Sequence, residues 1–239
     1  MKKIIESKRI VDVLQYITPD TLVIFDIDNT LIEPVQPFGG HAWFLNLVQR
    51  FKRQGLQEFD AILKASEILK KMQAYISFKT VEPYTPEVIE QLKQQQIDVM
   101  AMTSRGQNFV ECTCETLNAC NITFRPTTIY DKQFHFGTIG CWQDGILYTG
   151  DERSKGETLI SFFEESNYFP THVLFIDDSQ CHVESVSVSL GEKNISSMCI
   201  RYGATDDRAA QFNSEAANKA LLHVIGSEQY KDLFRELDR

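Results

Sequence analysis

The chain has 239 residues and a formal charge of −9 at pH 7. Hydrophobic residues make up 43% and charged residues 24%, a globular balance that excludes an intrinsically disordered chain. The acidic balance argues against binding of a nucleic-acid backbone, and the sequence has no apolar stretch of about 18 residues that would predict a membrane-spanning helix.

Two features of the sequence bear on where the protein is located. Charged residues interrupt the apolar positions of the first segment, which predicts an amphipathic helix with Ile5, Val11 and Leu14 available for burial. Cys112 and Cys114 would point to opposite sides of a helix, which disfavours a structural zinc site and favours reduced thiols. We expect a cytoplasmic protein, or one exported without a Sec-type signal peptide.

Short apolar runs alternate with helical patterns along the chain. The runs at 22–25, 99–102 and 173–176 fit strands that are buried on both faces. Helical patterns begin at Thr85-Pro86-Glu87 and at about residue 155. This alternation predicts an α/β fold with a doubly wound, mainly parallel sheet, in which ligands bind at the carboxyl ends of the strands.

Two segments interrupt the alternation. Residues 33–83 contain two helical patterns and predict a small helical cap inserted after the first core strand. Residues 126–150 are rich in aromatic and β-forming residues, and Asp144-Gly145 predicts the turn of a β-hairpin insert. The remaining residues, 1–32 and 84–239, are assigned to the core domain.

Acidic residues follow the first and the last of the buried strands. Asp26 and Asp28 come directly after the first strand, where side chains two residues apart project to the same side. Because two such carboxylates repel each other, the pair indicates a neighbouring cation, although a solvated loop with a capping role is the alternative. Asp177 and Asp178 follow the last strand and add hard oxygen ligands, which suit Mg²⁺ better than zinc.

Hydroxyl and basic residues provide further candidates at the same edge. Thr103 and Ser104 follow the second strand, where hydroxyl and backbone N–H groups can hold a phosphoryl oxygen or simply cap a helix. Arg105 is a secondary candidate for a contact to substrate. Lys155 precedes a helical pattern, but a lone lysine is usually a solvated surface group and predicts nothing by itself.

The order of these residues along the chain resembles that in the haloacid dehalogenase (HAD) superfamily. The four motifs of that superfamily all occur in this chain, in the same order. Four stretches carry the resemblance, which spans about residues 22–201: 23–31, 99–105, 154–159 and 173–179. The helical insert and the phrase Thr-Pro-Glu-Val-Ile-Glu-Gln-Leu resemble a little-characterised branch of that superfamily, the DUF2608-like proteins of intracellular bacteria.

The resemblance implies an aspartate-based phosphatase. Asp26 would be the nucleophile that forms an aspartyl-phosphate, and Asp28 would be the general acid and then the general base. Lys155, together with Thr103 and Ser104, would hold the phosphoryl oxygens.

The resemblance also implies a Mg²⁺ cofactor. The carboxylates of Asp26 and Asp177 and the backbone carbonyl of Asp28 would hold the ion. Asp178 would either bind a metal-bound water or orient Lys155, and these two roles remain open.

Other functions are compatible with these residues. A phosphate-receiver domain has its acidic pair first in the chain, whereas in this sequence that pair comes last. A phosphotransferase with the same fold and a catalytically silent HAD-like binding protein stay open as alternatives. The expected substrate is a phosphomonoester, either a small molecule or a phosphoprotein, and aromatic residues near both inserts favour an aryl phosphate such as phosphotyrosine.

Overall fold

The computed structural model describes residues 2–124, 134–136, 140–150 and 153–235. The chain forms two compact units. The core unit consists of Met1–Ile32 and Thr80–Thr205, and the helical unit consists of Glu33–Lys79 and Asp206–Arg239.

Strands and helices alternate through much of the chain. In chain order, the strands are β1 (Lys2–Ser7), β2 (Thr21–Phe25), β3 (Ile32–Pro34), β4 (Phe78–Thr80), β5 (Asp98–Thr103), β6 (Phe134–Phe136), β7 (Gly140–Gln143), β8 (Ile146–Tyr148), β9 (His172–Asp177) and β10 (Ser196–Tyr202). The α-helices are α1 (His41–Arg53), α2 (Glu58–Met72), α3 (Thr85–Gln94), α4 (Val110–Ala119), α5 (Lys155–Ser166), α6 (Gln180–Glu192), α7 (Asp206–Ala210), α8 (Ser214–Ile225) and α9 (Ser227–Arg235).

The described strands of the core unit form one sheet in the order β1-β10-β9-β2-β5-β8-β7-β6. The first six strands in this order pair in parallel, and β7 and β6 add antiparallel pairs at one end. Leu22 of β2 lies opposite Asp98 of β5 on one side and Val173 of β9 on the other. The predicted doubly wound, mainly parallel α/β fold is confirmed.

The turn between β7 and β8 follows from its sequence. Gln143 pairs with Ile146, so Asp144 and Gly145 form a two-residue hairpin loop, with φ angles of 53° and 77°. Both values lie in the left-handed region that such turns require, which explains the Asp-Gly pair. The rest of the predicted hairpin segment, 126–133 and 137–139, lies outside the described residues.

The N-terminal segment differs from its predicted helix. It forms β1, which pairs in parallel with β10, followed by a 3₁₀ helix over Ile10–Gln15. This short helix buries Ile10, whereas Ile5, Val11 and Leu14 are only partly buried. The prediction was wrong because pairing with a strand almost 200 positions away outweighs the local helical pattern.

Both faces of the central strand β2 are covered. Leu22 and Ile24 pack in a cluster with Phe162 of α5 and Val183 of α6, while Val23 on the alternate face is also fully buried. A strand covered on both faces needs apolar side chains at every position, which explains the continuous apolar run.

The helical unit has a core of its own. α1 and α2 contact each other, and their apolar faces join residues of α8 and α9 in one cluster that includes Trp43, Phe51, Ala65, Ile68 and Leu221. The prediction placed all of 84–239 in the core domain, whereas residues from 206 onward belong to the helical unit. The physical reason is that α8 buries Ala217, Leu221 and Ile225 in this second cluster.

The structure also bears on the membrane question. Among the described residues, no helix has both the length and the apolar character needed to cross a membrane.

Helices α5 and α6 approach closely at Gly156. A Cβ atom there would lie 2.5 Å from the backbone oxygen of Ser185 and against the hydroxyl of Ser189. Gly156 N also donates a hydrogen bond of 3.2 Å to Ser185 Oγ. The glycine therefore sets the distance between the two helices at the start of α5.

We expect Gly156→Ala to destabilise the protein by about 1–3 kcal/mol, because the backbone of α6 has to shift. An ordinary helical glycine would give the opposite sign, since alanine is preferred in helices by roughly 0.5–1 kcal/mol. Urea denaturation measures the effect. Gly226→Ala is the control: nothing lies within 4 Å of its Cβ position, so only its left-handed backbone angle opposes the change. Equal stability of Gly156→Ala and wild type would contradict the close packing.

Candidate active site

Three carboxylates converge at the carboxyl edge of the sheet. Asp26 follows β2, and Asp177 ends the neighbouring parallel strand β9, with Asp178 next to it. Asp26 N donates to Ile176 O at 2.8 Å, which extends the pairing of the two strands up to the site. One carboxylate oxygen from each of Asp26, Asp177 and Asp178 lies within 4.8 Å of the others.

Lys155 joins two of these carboxylates. Its Nζ atom donates to Asp26 Oδ1 at 2.5 Å, to Asp177 Oδ2 at 2.7 Å and to the backbone oxygen of Met102 at 3.3 Å. The lysine is only 2% exposed, so its three donors are all used inside the protein. By residue type alone Lys155 was an ordinary surface residue, and only the HAD resemblance assigned it to phosphoryl binding. The structure places its ammonium between two carboxylates.

A capping box fixes the position of Lys155 at the start of α5. Ser154 Oγ accepts from Glu157 N at 3.2 Å, and the Glu157 carboxylate accepts from Ser154 N at 3.1 Å. This reciprocal arrangement satisfies the first free N–H groups of a helix and determines where the helix begins.

Burial and the shared ammonium act in opposite directions on the acidic groups. Burial raises the pKa of Asp26 well above its ordinary value, with further increases from Asp177 and Asp178, and Lys155 offsets this only in part. Burial also acts to raise the pKa of Asp177, but Lys155 and His182 outweigh it and hold the pKa below its ordinary value.

The lysine itself remains charged. Burial acts to lower the pKa of Lys155, but the carboxylates of Asp177 and Asp26 outweigh it and raise the pKa. One ammonium therefore faces three carboxyl groups, and the surplus of negative charge favours a further cation. Three carboxylates are hard oxygen donors, so this set fits a divalent ion of the Mg²⁺ type better than Zn²⁺.

Asp28 has a different partner from Asp26. Arg105 holds it in a bidentate ion pair, with Nε donating to Asp28 Oδ2 at 2.8 Å and Nη2 donating to Oδ1 at 2.7 Å. The third arm of the guanidinium donates to Thr113 Oγ1 at 3.0 Å. Burial acts to lower the pKa of Arg105, but the Asp28 carboxylate outweighs it and raises the pKa. Arg105, a secondary candidate in the sequence, thus orients Asp28. The two residues are 77 positions apart, and the sequence did not predict their contact.

The two predicted phosphoryl-binding hydroxyls also lie at this edge. Thr103 ends β5, the other neighbour of β2, and its Oγ1 accepts from Arg105 N at 3.2 Å. Accepting this bond leaves the hydroxyl hydrogen of Thr103 available to donate. The Oγ of Ser104 is shielded from solvent and has no hydrogen-bond partner among the described residues.

Supporting contacts that sequence reasoning missed hold the acidic loop in place. His182 Nδ1, in the first turn of α6, lies 3.2 Å from Asp177 Oδ1. Asn29, with a left-handed φ of 61°, donates from Nδ2 to Asp178 Oδ2 at 3.1 Å, and Thr30 Oγ1 accepts from Asp178 N at 3.2 Å. His182 has no signal in the sequence, whereas an asparagine directly after Asp28 is typical of a tight loop.

We expect Lys155→Met to destabilise the chelator-treated protein by about 3–5 kcal/mol at neutral pH, because it leaves buried carboxylates without their cation. The deficit should shrink on acidification from about pH 7 to about pH 5, since carboxyls whose pKa is raised in the folded state bind more protons there than in the unfolded state. Chemical denaturation at the two pH values measures both effects.

The matched control is Lys193→Met. Its ion pair with Glu164 has a similar length, 2.7 Å, but both side chains are about half exposed, 46% and 53%. A surface pair of this kind contributes less than about 1 kcal/mol. Equal losses in the two variants would show that Lys155 does not compensate buried charge.

Three chlamydial proteins are similar to the chain, each named as a putative outer membrane protein. The protein of Chlamydia trachomatis serovar D is 27% identical over 183 residues, which are 77% of this chain and 69% of that protein. The protein of Chlamydia muridarum is 26% identical over 183 residues, 76% of this chain and 69% of that protein. The protein of Chlamydia pneumoniae is 23% identical over 181 residues, 76% of this chain and 65% of that protein.

One solved structure and one family model complete the comparisons. A class C acid phosphatase from Bacillus anthracis with tungstate bound aligns over 90% of this chain and 84% of its own, with 12% identity and a TM-score of 0.37, a value that does not establish a shared fold. The family model DUF2608, described as a protein of unknown function, matches residues 5–230. This match covers well over half of the sequence and confirms the predicted DUF2608-like branch. The chain belongs to the DUF2608 family.

Proposed function

We propose that the chain is a Mg²⁺-dependent phosphomonoester hydrolase that works through an aspartyl-phosphate on Asp26. The observation that carries this proposal is the ammonium of Lys155, 2.5 Å from Asp26 and 2.7 Å from Asp177. These two contacts combine a buried carboxylate nucleophile, a fixed positive charge and an acidic cation site at one edge of the sheet. The order of the four HAD-like motifs in the sequence supports the same function.

Asp26 is the group that attacks phosphorus. A bond forms between a carboxylate oxygen of Asp26 and the phosphorus atom while the bond from phosphorus to the ester oxygen breaks. Thr103 and Ser104, at the end of the neighbouring strand β5, donate to the oxygens of the transferring phosphoryl group, and Lys155 does so when a phosphoryl oxygen replaces one of its present partners. Water then attacks the phosphorus atom of the aspartyl-phosphate, the bond between phosphorus and the Asp26 oxygen breaks, and inorganic phosphate and the free carboxylate result.

Asp28 moves the proton in both steps. It gives a proton to the departing ester oxygen and later takes one from the attacking water. Arg105 donates one hydrogen bond to each carboxylate oxygen, which fixes the orientation of Asp28 and leaves a lone pair on each oxygen for the proton. The side chain of Asp28 is 32% exposed, so water reaches it.

A bound Mg²⁺ would neutralise negative charge, so that a phosphate dianion can approach an anionic nucleophile. The carboxylates of Asp26 and Asp177 and the backbone carbonyl of Asp28 would hold it, and the clustering of Asp178 with the first two supports a ligand role for Asp178 as well.

Two narrower statements stay predictions. One is the aryl phosphate substrate, phosphotyrosine included. The other is the location, cytoplasmic or exported without a Sec-type signal, for which the name of the chlamydial relatives supports export.

Asp26→Asn should abolish hydrolysis of p-nitrophenyl phosphate and any phosphorylated protein intermediate, because an amide does not form the acyl-phosphate. The wild type should require Mg²⁺ and lose its activity in chelator. Asp60→Asn is the control: it is the same conservative change at an exposed residue of α2 that has no proposed role. Near-normal turnover by folded Asp26→Asn protein would rule out the nucleophile assignment.

Asp28→Asn should slow turnover by roughly 10²-fold or more, the usual size of a general acid–base contribution. Arg105→Gln should lower the rate in the same direction, because Asp28 loses its two fixed hydrogen bonds. Steady-state kinetics on both purified variants, with circular dichroism to verify folding, measure the effect. Unchanged rates in Asp28→Asn would remove its acid–base role.

A further inference from the structure

The core unit contains a cavity of about 390 Å³ next to the proposed phosphoryl site. Its wall comes from the turn after β5 and from the starts of α5 and α6. Seven of its eight described lining residues have polar or charged side chains, and the eighth is Cys181. This volume falls within the range of small-molecule sites, roughly 300–1,000 Å³. Ser104 and Lys155 line it, so the cavity begins beside the groups that we assign to phosphoryl binding.

Hydrogen-bond donors dominate the wall. Ser185 Oγ accepts a bond from Gly156 N, so its hydrogen remains available. The ring of His182 uses Nδ1 toward Asp177, which leaves Nε2 for another partner. The Arg153 guanidinium adds further donors.

The start of α6 strengthens this bias. Its N-cap residue, Ser179, makes no side-chain capping bond, and the first turn carries no acidic residue. Cys181 and His182 belong to that first turn and line the cavity. The free N–H groups and the positive end of the helix dipole therefore lie at the cavity wall.

Glu157 is the single carboxylate among the described lining residues, and it is already engaged. It accepts hydrogen bonds from Ser154 N at 3.1 Å and from Ser154 Oγ at 2.9 Å. Arg153 also acts on it as a favourable neighbouring charge. The acid therefore belongs to the capping box, and the surplus of donors is left for a ligand.

We infer that this cavity binds a second anionic oxygen group of the substrate, a carboxylate or a phosphate, on the side away from the transferring phosphoryl group. The inference rests on the proposed function and narrows it to phosphomonoesters that carry a second acidic group, because the donors of the wall favour anionic oxygens. Lys155 and Ser104 connect the two ends of such a ligand, since each belongs both to the cavity wall and to the proposed phosphoryl site.

The kinetic test compares four substrates. 3-Phosphoglycerate carries a carboxylate, fructose 1,6-bisphosphate carries a second phosphate, and glycerol 1-phosphate and phenyl phosphate carry neither. We expect kcat/KM for at least one of the first two to exceed that for glycerol 1-phosphate by about tenfold, the effect of one charge-assisted hydrogen bond. Which of the two is preferred distinguishes carboxylate from phosphate.

Filling the cavity should remove the preference. In Cys181→Trp the ratio of kcat/KM between the preferred substrate and glycerol 1-phosphate should fall to about one, because the indole occupies the space of the second anion. Val188→Trp is the matched control on α6, at a position that is 47% exposed and outside the cavity wall, and it should keep the wild-type ratio. Equal kcat/KM for all four substrates in the wild type, or a preference that survives Cys181→Trp, would overturn the inference.

A binding measurement separates this inference from the proposed function. Cys181 is the one exposed cysteine of the six, all of which the structure describes. 3-Phosphoglycerate or fructose 1,6-bisphosphate should slow alkylation of Cys181 by iodoacetamide by about tenfold at about ten times its Kd, and Arg153→Gln should weaken this protection. Protection without turnover of any substrate would overturn the proposed hydrolase function and support anion binding in the cavity. Turnover without protection, and without a preference for a second anionic group, would overturn anion binding in the cavity and support the hydrolase function.

Discussion

The buried ammonium of Lys155 is the constraint on which the site depends. A charge with 2% exposure is tolerated only with close partners, and Lys155 has two carboxylates and a backbone oxygen. These contacts require α5 to begin at Lys155, and the Ser154–Glu157 capping box starts the helix there. Gly156 then lets α5 lie against α6, whose first turn places His182 on Asp177. Helix start, helix packing and site geometry are thus parts of one arrangement.

The same ammonium leaves the site short of positive charge. Asp26, Asp177 and Asp178 contribute three carboxyl groups against one lysine, and burial makes the imbalance costly, as the raised pKa of Asp26 shows. A divalent cation would offset this surplus of negative charge, and in the proposed reaction a phosphate ester would then lie beside a carboxylate that is almost free of water. A solvated pair of aspartates would have no such need, so burial separates the functional interpretation from the alternative of a capping loop.

The sequence predicted those features that have a local signal. The buried parallel strands are visible as continuous apolar runs, and the polar residues at their carboxyl ends meet because adjacent parallel strands end at one edge. Lys155 has no local signal, and only the order of motifs in the superfamily that the sequence resembles marked it. The pairing of β1 with β10 and of Arg105 with Asp28 depends on contacts across long separations, which no periodic pattern records. For the same reason, the place of α8 in the helical unit was not predicted.

Asp26 and Asp28 are two residues apart, yet their surroundings differ, and the proposed mechanism gives them different roles. Asp26 is 5% exposed and bound by an ammonium, which suits a nucleophile that must not be hydrated when it attacks. The side chain of Asp28 is 32% exposed and held by a guanidinium, whose planar fork fixes direction while water keeps access. A group that exchanges protons with an ester oxygen and with water needs both properties. In the proposed mechanism, the roles of the two aspartates therefore follow from which cation each one has and how much solvent reaches it, since the residue type is the same.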